Sequence, residues 1–473
     1  MQNINSETSQ TSLPPIQEYF LTQTFSDDPG QSGADSSDCA DCANCAELHL
    51  TNLGATIMCL TLPLASGQRD IILGFSKPQD YLVQEGNLGG LIGRVAGRIP
   101  AGPEGYPLLD IDGHTYPLSA NAGTTCLHGG KPGFHREIWE LAEEGQDATR
   151  NWLTFRLLSP DGDAGFPGDL EVLVTYSLEK PDITALNLGT DLATPDLAVL
   201  NLDADPATPD LAALSLDPDL AGQADCAQGK EGLATSGSCI DLRIRYQATC
   251  SAPTVCSLTQ HAYFNLQGHE QGNLLGQKLQ ISADSYTNFT DDLIATGDIC
   301  PLEGTVLDLR QGEDLGLLLR HGLGKVASES PVGLDQPGLE SKPGQPSPTG
   351  TRLYPVDQPD PHLTVTRGLD HNYILSQEAH HSLQKVACLA CDDLRMEVLT
   401  TFPGLQVYTA NYLDTLGKPG KDGQPTPYPP HSAVCLECQA WPNAVNLPDF
   451  PSIRLEPGQI YQQETVYRFY FAS

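Results

Sequence analysis

Basic residues are scarce in this chain: 25 Lys and Arg stand against 60 Asp and Glu in 473 residues, a formal net charge of −35. Segments 1–47 and 181–229 contain no Lys or Arg and hold 8 and 9 acidic residues, so roughly half of the excess sits in two stretches. A surface of that sign repels phosphate backbones and anionic lipid, which argues against nucleic-acid and membrane partners. Charged residues are only 18% of the chain, whereas Gly (45) and Pro (37) are plentiful, a balance that favours turns and short strands over long amphipathic helices. No apolar run reaches the 18 residues or so that a membrane-spanning helix needs. The start, MQNINSETSQTSLPP, lacks the basic and apolar regions of a secretory signal. A cytoplasmic address is therefore expected, with the 14 cysteines mostly reduced. Signatures for phosphate loops, dinucleotide turns, the G-x-S-x-G nucleophile elbow and the H-E-x-x-H zinc helix are all missing.

What is present is period-two alternation. ELHLTNLGATIMCLTLP (47–63), WLTFRLLS (152–159), LEVLVTYSLE (170–179), LRIRYQATC (242–250), TVCSLTQHAYFNL (254–266), RMEVLTTFPGLQVYTANY (395–412) and IYQQETVYRFYF (460–471) read as strands separated by turn residues. An all-β fold follows, a large antiparallel sandwich forming a single domain over 47–473. Residues 1–46 read as a disordered acidic leader. Two flexible insertions are expected within the domain. One lies near 181–237, where ATPDLA occurs at 193–198 and again at 207–212, and two short copies are too few to stack as a solenoid. The other, near 325–362, is rich in proline. Surface insertions cost little closure entropy as they lengthen.

Candidate chemistry is confined to short polar segments: GRVAGRI (93–99), CLHGG (126–130), LTQHAYFNLQG (258–268), GLDHNY (368–373) and CLECQAWPNAVN (435–446). Taken singly, most of these residues have plain structural readings. Arg94 and Arg98 fit surface ion pairs, His128 and Asp370 fit turns, and His261 fits a core histidine satisfied by backbone. Glu437, between apolar Val434 and Leu436 and Trp441, fits a partly buried strand carboxylate, a kind of group rarely without a task. Together the set suits proton transfer, since a carboxylate and an imidazole from distant segments can work as base and acid. Arg, His and Asp can hold a polyhydroxylated ligand, and Tyr263, Phe264 and Trp441 can supply an apolar face beside it. Paired C-x2-C spacings at Cys388/Cys391 and Cys435/Cys438 are too far apart for a zinc motif and lie in strand-like text, where residues three apart face opposite ways; Cys39, Cys42 and Cys45 can take up a metal opportunistically but lie in the disordered-looking leader. No metal and no cofactor is expected.

In this order the segments resemble the aldose 1-epimerase, or galactose mutarotase, family over residues 47–471 apart from the insertions. GRVAGRI looks like its G-R-V-x-N-R-I, and CLHGG with Gly133-Phe134 and Trp139 like its L-H-G-G…G-F…W. LTQHAYFNLQG is similar to L-T-N-H-x-Y-F-N-L-x-G. ATGDI (295–299) with GTVLDLR (304–310), GLDHNYIL and CLECQAWPNAVNLPDFPS complete the series. The resemblance implies a galactose mutarotase-like β-supersandwich that interconverts the α and β anomers of free hexoses such as galactose and glucose. It places the catalytic acid at His261, the base at Glu437, and sugar-binding groups at Arg98, His128 and Asp370. Gly97, Gln260, Cys438 and Asn443 depart from the family's Asn, Asn, Thr and Asp, and Ala295 from its Pro. Two alternatives stay open: a hexose-phosphate 1-epimerase, which would need several cations around a phosphate, and a non-catalytic carbohydrate-binding sandwich. The small-molecule partner expected is a free aldohexose; the oligomeric state stays open.

Overall fold

The computed structural model describes residues 15–25, 44–84, 86–181, 238–324 and 359–472. Alternation builds nine strands into one antiparallel sheet, in the spatial order Glu140–Gln146, Arg150–Ser159, Leu170–Glu179, Ser238–Cys250, Tyr461–Phe471, Leu394–Thr400, Gln384–Ala390, Lys278–Ile281 and Glu313–Asp314. In Leu170–Glu179 the residues Leu170, Val172, Val174, Tyr176 and Leu178 all point inward and are buried. Each such side chain contributes roughly 1.5–3 kcal/mol of transfer free energy. The outer face carries ion pairs such as Arg243 with Glu179 and Glu464.

A five-stranded antiparallel sheet, Ala295–Pro301, Ser285–Phe289, Asp370–Ile374, Gly404–Tyr408 and Cys435–Gln439 in spatial order, packs one face into the same core. Tyr373, Leu405, Val407 and Leu436 from that face join Leu242, Ile244 and Phe469 of the large sheet in one apolar cluster. The Tyr467 hydroxyl ties the two by donating to the Leu436 carbonyl at 2.8 Å. A third sheet of four strands, Glu18–Thr24, Cys45–Thr51, Thr56–Leu64 and Gly67–Asp70, adds Leu48, Leu50, Ile57 and Leu60 to the cluster. The all-β sandwich expected from the alternation is the architecture found, with only the short helices Leu315–Gly322 and Pro361–Thr366 among the described α-helices.

Three local readings need correction. The leader is not all disordered: Glu18–Thr24 is a strand, paired along its whole length with Cys45–Thr51. Its apolar Leu21 is buried, and a seven-residue strand in a polar context gave too weak a pattern to stand out. The long run 395–412 is two strands in two different sheets, Leu394–Thr400 and Gly404–Tyr408. Phe402 buries itself at the crossing, and Pro403, which has no N–H to give to a ladder, marks the break. TVCSLTQHAYFNL is likewise not one strand but the short pieces Thr254–Val255 and Thr259–Gln260, followed by irregular chain. The acidic segment 182–237 lies outside the described residues; the strands on either side of it are direct neighbours, with Glu179 opposite Asp241. Residues 325–358 also lie outside; at the far end of the stretch expected near 325–362, Pro361 already opens a helix capped by Asp360. No helix among the described residues is long and apolar enough to cross a membrane.

Candidate active site

One face of the five-stranded sheet is core and the other is polar. In Asp370–Ile374, His371 and Tyr373 point one way, so Asp370 and Asn372 point the other. The same alternation puts Gln406 and Tyr408 of Gly404–Tyr408, and Glu437 and Gln439 of Cys435–Gln439, beside them. Asn372 is opposite Gln406, and Gln406 opposite Glu437, so the three form a row across three strands. These residues floor a cleft of about 570 Å³ whose walls include Gly97, Arg98, His128, His261 and Tyr263. All five residues singled out in the sequence, Arg98, His128, His261, Asp370 and Glu437, line it.

His261 follows Gln260, which pairs with Leu91, and its own N–H donates to the Gly90 carbonyl at 3.1 Å. That anchoring leaves the imidazole Nε2 3.7 Å from Glu437 Oε1. The ring stacks on Tyr263 at 5.0 Å and meets the edges of His128 at 5.7 Å and Tyr408 at 6.1 Å. Tyr263 is itself fixed by donating to the Gly86 carbonyl. Burial drives both members of the pair toward their uncharged forms. The His261 imidazole is lowered to about 4, and the Glu437 carboxyl is raised well above the usual carboxylate range by burial and then by the Asp370 charge.

His128 and Arg98 come from two segments locked by glycine. Arg98 pairs with Leu127, and the His128 N–H donates to the Gly97 carbonyl at 2.9 Å. Gly129, at φ +85°, passes so close to the GRVAGRI segment that a Cβ there would lie 1.9 Å from the Gly93 oxygen. The Gly97 N–H donates to His128 Nδ1 at 3.3 Å, which leaves the proton of the neutral ring on Nε2. Burial, and then the His261 and Arg98 charges, hold His128 well below the usual imidazole range. Gly97 is at φ +85°, and a Cβ there would sit 3.2 Å from Pro442. Asp370 Oδ1 accepts from Gln406 Nε2 at 2.6 Å; burial raises its carboxyl, opposed by Arg98 and by that hydrogen bond.

The two arginines of GRVAGRI part company. Arg94 is not a surface ion-pairing residue but is 1% exposed. Its Nε donates to Ser159 Oγ at 2.9 Å, Nη2 to the Ser159 and Pro160 carbonyls, and Nη1 to the Pro167 carbonyl. Arg98 lines the cleft and has no ion pair among the described residues. Of the three aromatics expected beside the ligand, Tyr263 lines the cleft; Phe264 packs on Tyr467 in the core, and Trp441 packs on Phe450 and donates to the Pro403 carbonyl. Tyr408 and Phe289 take their places in the lining. Gln406, Tyr408, Asn372 and Gln439 were not singled out in the sequence, yet each is two residues along a strand from a candidate or directly across from one. Counting by two from Asp370 and Glu437 would have found Asn372 and Gln439. Cys435 and Cys438 are unbonded and lie in different apolar clusters, on opposite sides of their strand. Among the described residues no group of three His, Cys, Asp or Glu side chains is placed to hold an ion; Cys39 and Cys42 lie outside them.

An acid–imidazole pair on the floor of a polar cleft in a β-sandwich is a site equipped for proton transfer. Comparison with known proteins gives the family. A model of the family described as Aldose 1-epimerase matches residues 42–190 and 235–468. Galactose mutarotase of Homo sapiens is 30% identical over 419 residues, covering 88% of this chain and 89% of the relative. Aldose 1-epimerase of Escherichia coli (strain K12) is 28% identical over 426 residues, covering 89% and 91%. Among solved structures, galactose 1-epimerase from Lactobacillus acidophilus superposes with a TM-score of 0.60 at 18% identity, covering 97% of this chain and 100% of that one. An aldose epimerase homologue from C. elegans superposes at 0.59 and 22% identity, covering 90% and 96%. The chain belongs to the aldose 1-epimerase family.

Proposed function

We propose that this protein interconverts the α and β anomers of a free aldohexose such as galactose or glucose, with Glu437 as base and His261 as acid. The observation that carries the reading is the buried Glu437–His261 pair, 3.7 Å apart, on the floor of the cleft. Ring opening starts from carboxylate and imidazolium. Glu437 takes the proton of the C1 hydroxyl, the C1=O bond forms as C1–O5 breaks, and His261 delivers its proton to O5. The C1–C2 bond of the open aldehyde rotates, and closure on the other face returns both protons, with His261 now the base and Glu437 the acid. Each transfer contributes about 10²–10⁴-fold. The pair holds one exchangeable proton in total, and burial favours keeping it on Glu437 with His261 neutral. That uncharged arrangement is the one required opposite the open-chain aldehyde, so the empty cleft is pre-set for the intermediate. The sugar's C1 hydroxyl, donating to Glu437, helps draw out the charged form from which opening begins.

Arg98, His128 through Nε2–H, and Asp370 would hold ring hydroxyls so that only the C1 end moves. No step calls on a metal or cofactor. A hexose phosphate is the poorer substrate on this reading, since Arg98 is the only Lys or Arg among the described lining residues and Asp370 and Glu437 share the cleft with it. The reading includes a cytoplasmic address and no nucleic-acid or membrane partner. Polarimetry of freshly dissolved α-D-galactose, α-D-glucose and a hexose 6-phosphate, with and without a chelator, tests it. Acceleration of the two free sugars, undiminished by chelation, is expected; a rate no faster than buffer sends the reading to the binding-only alternative.

A further inference from the structure

The cleft floor contains two carboxamides that the reaction as described does not use. Asn372 is 2% exposed and Gln439 1%, and both line the cleft. All four of their side-chain polar atoms, Asn372 Oδ1 and Nδ2 and Gln439 Oε1 and Nε2, lack a hydrogen-bond partner in the protein. A buried polar atom left unpaired is destabilising, and four such atoms on one cleft floor are unusual in a folded interior. The strand between them passes close beneath. Gly404 is opposite both Ile374 and Gln439. A Cβ at Gly404 would come within 2.7 Å of Asn372 Oδ1 and 3.1 Å of the Gln439 carbonyl oxygen, so only glycine lets the Asn372 amide lie over this strand. Gln406, opposite both Asn372 and Glu437, adds a third carboxamide whose Oε1 is unpartnered.

We infer that Asn372 and Gln439 form a hydroxyl-binding subsite of the cleft, which takes one hydroxyl or hydroxymethyl group of the sugar remote from C1 and sets which aldose is preferred. Two amides present both donors and acceptors, the complement of a hydroxyl, which donates once and accepts twice. Neither carries charge, and the nearest ionisable groups on the sheet face are the acids Asp370 and Glu437, so a phosphate or carboxylate has no cation to meet there. A site that dedicates buried amides to one hydroxyl rejects sugars lacking it, because the amides are then left unpaired again. The inference rests on the sugar-epimerase reading above.

The test uses Asn372→Leu and Gln439→Met, close in shape and without the amides, in the full chain. Without sugar, both variants should melt no lower than wild type, because the amides bond to nothing in the protein that their removal would strand. With the parent hexose, KM should rise about tenfold with kcat little changed, as expected for a contact already made in the ground state. Across the 2-, 3-, 4- and 6-deoxy hexoses, wild type should lose about tenfold or more in kcat/KM at one position, and the variants should lose nothing further at that position. A lower melting temperature in both variants means the amides serve the fold or a structural water, and overturns the inference. So do losses that multiply at every deoxy position. If wild type epimerises no hexose, the epimerase reading has failed, and calorimetric binding of the same deoxy series reads the same coupling, with the same outcomes deciding the subsite.

Discussion

Replacing Glu437 by Gln isolates the proposed base with little disturbance of the fold. Gln has nearly the same volume, and in the empty cleft the carboxyl it replaces is held in its uncharged form, so no buried ion is created or stranded. The melting temperature should stay near that of wild type. Chemistry should not, because the amide cannot take the C1 proton. The nearest carboxylate on the same sheet face, Asp370, stands two strands away and is engaged by Gln406 at 2.6 Å, so it is poorly placed to substitute. The loss should therefore lie toward the upper part of the usual 10²–10⁴-fold range for a general base, about 4–5 kcal/mol of barrier. Because the contact matters in the transition state, the fall belongs in kcat, with KM within about tenfold of wild type. Polarimetry of the fresh α anomer, in a buffer that is itself a poor catalyst, reads both constants. For wild type, kcat/KM should hold over a broad pH range, falling near pH 4 as His261 gains a proton, and again on the alkaline side when the pair gives up its one proton. A folded Glu437→Gln protein within tenfold of wild-type kcat would refute Glu437 as the base.

The two arginines of GRVAGRI should separate stability from binding. Arg94→Met strands the Ser159, Pro160 and Pro167 carbonyls and should cost about 3 kcal/mol or more in urea unfolding, whereas Arg98→Met should raise KM and leave the unfolding midpoint close to wild type. Equal midpoints for the two variants would contradict the burial difference. His371 gives a pH signature. Its Nδ1 accepts from the Asp370 N–H, and burial lowers the imidazole to about 3. The unfolded chain protonates this histidine near pH 6.5 and the folded one far lower, so stability is lost as pH falls through about 6.5 and on toward 3. At pH 5 that single group accounts for about 2 kcal/mol. Unfolding of His371→Gln should therefore depend less steeply on pH between 7.5 and 5 than wild type, by about that amount, and parallel curves would refute the shifted histidine.

Local sequence carried the periodicities and the order of the polar segments. LEVLVTYSLE could alternate as it does only by burying one face, so its inward residues and the all-β class were legible without coordinates. The segments around Arg98, His128, His261, Asp370 and Glu437 were also legible as a set, because each puts polar residues where a strand or turn pattern alone does not require them. Period two does not say which sheet a strand joins or which side that sheet buries. Hence 395–412 read as one strand until Phe402 and Pro403 were seen to divide it between the core sheet and the cleft floor, and Gln406, Asn372 and Gln439 went unread although their faces followed from their neighbours. Arg94 and Arg98, four residues apart in near-identical contexts, differ because remote carbonyls at Ser159, Pro160 and Pro167 enclose one and the cleft takes the other. The protonation of His261 and Glu437 is likewise tertiary. The cost of holding a charge depends on how much water the surrounding chain excludes, and that chain comes from segments throughout the sequence.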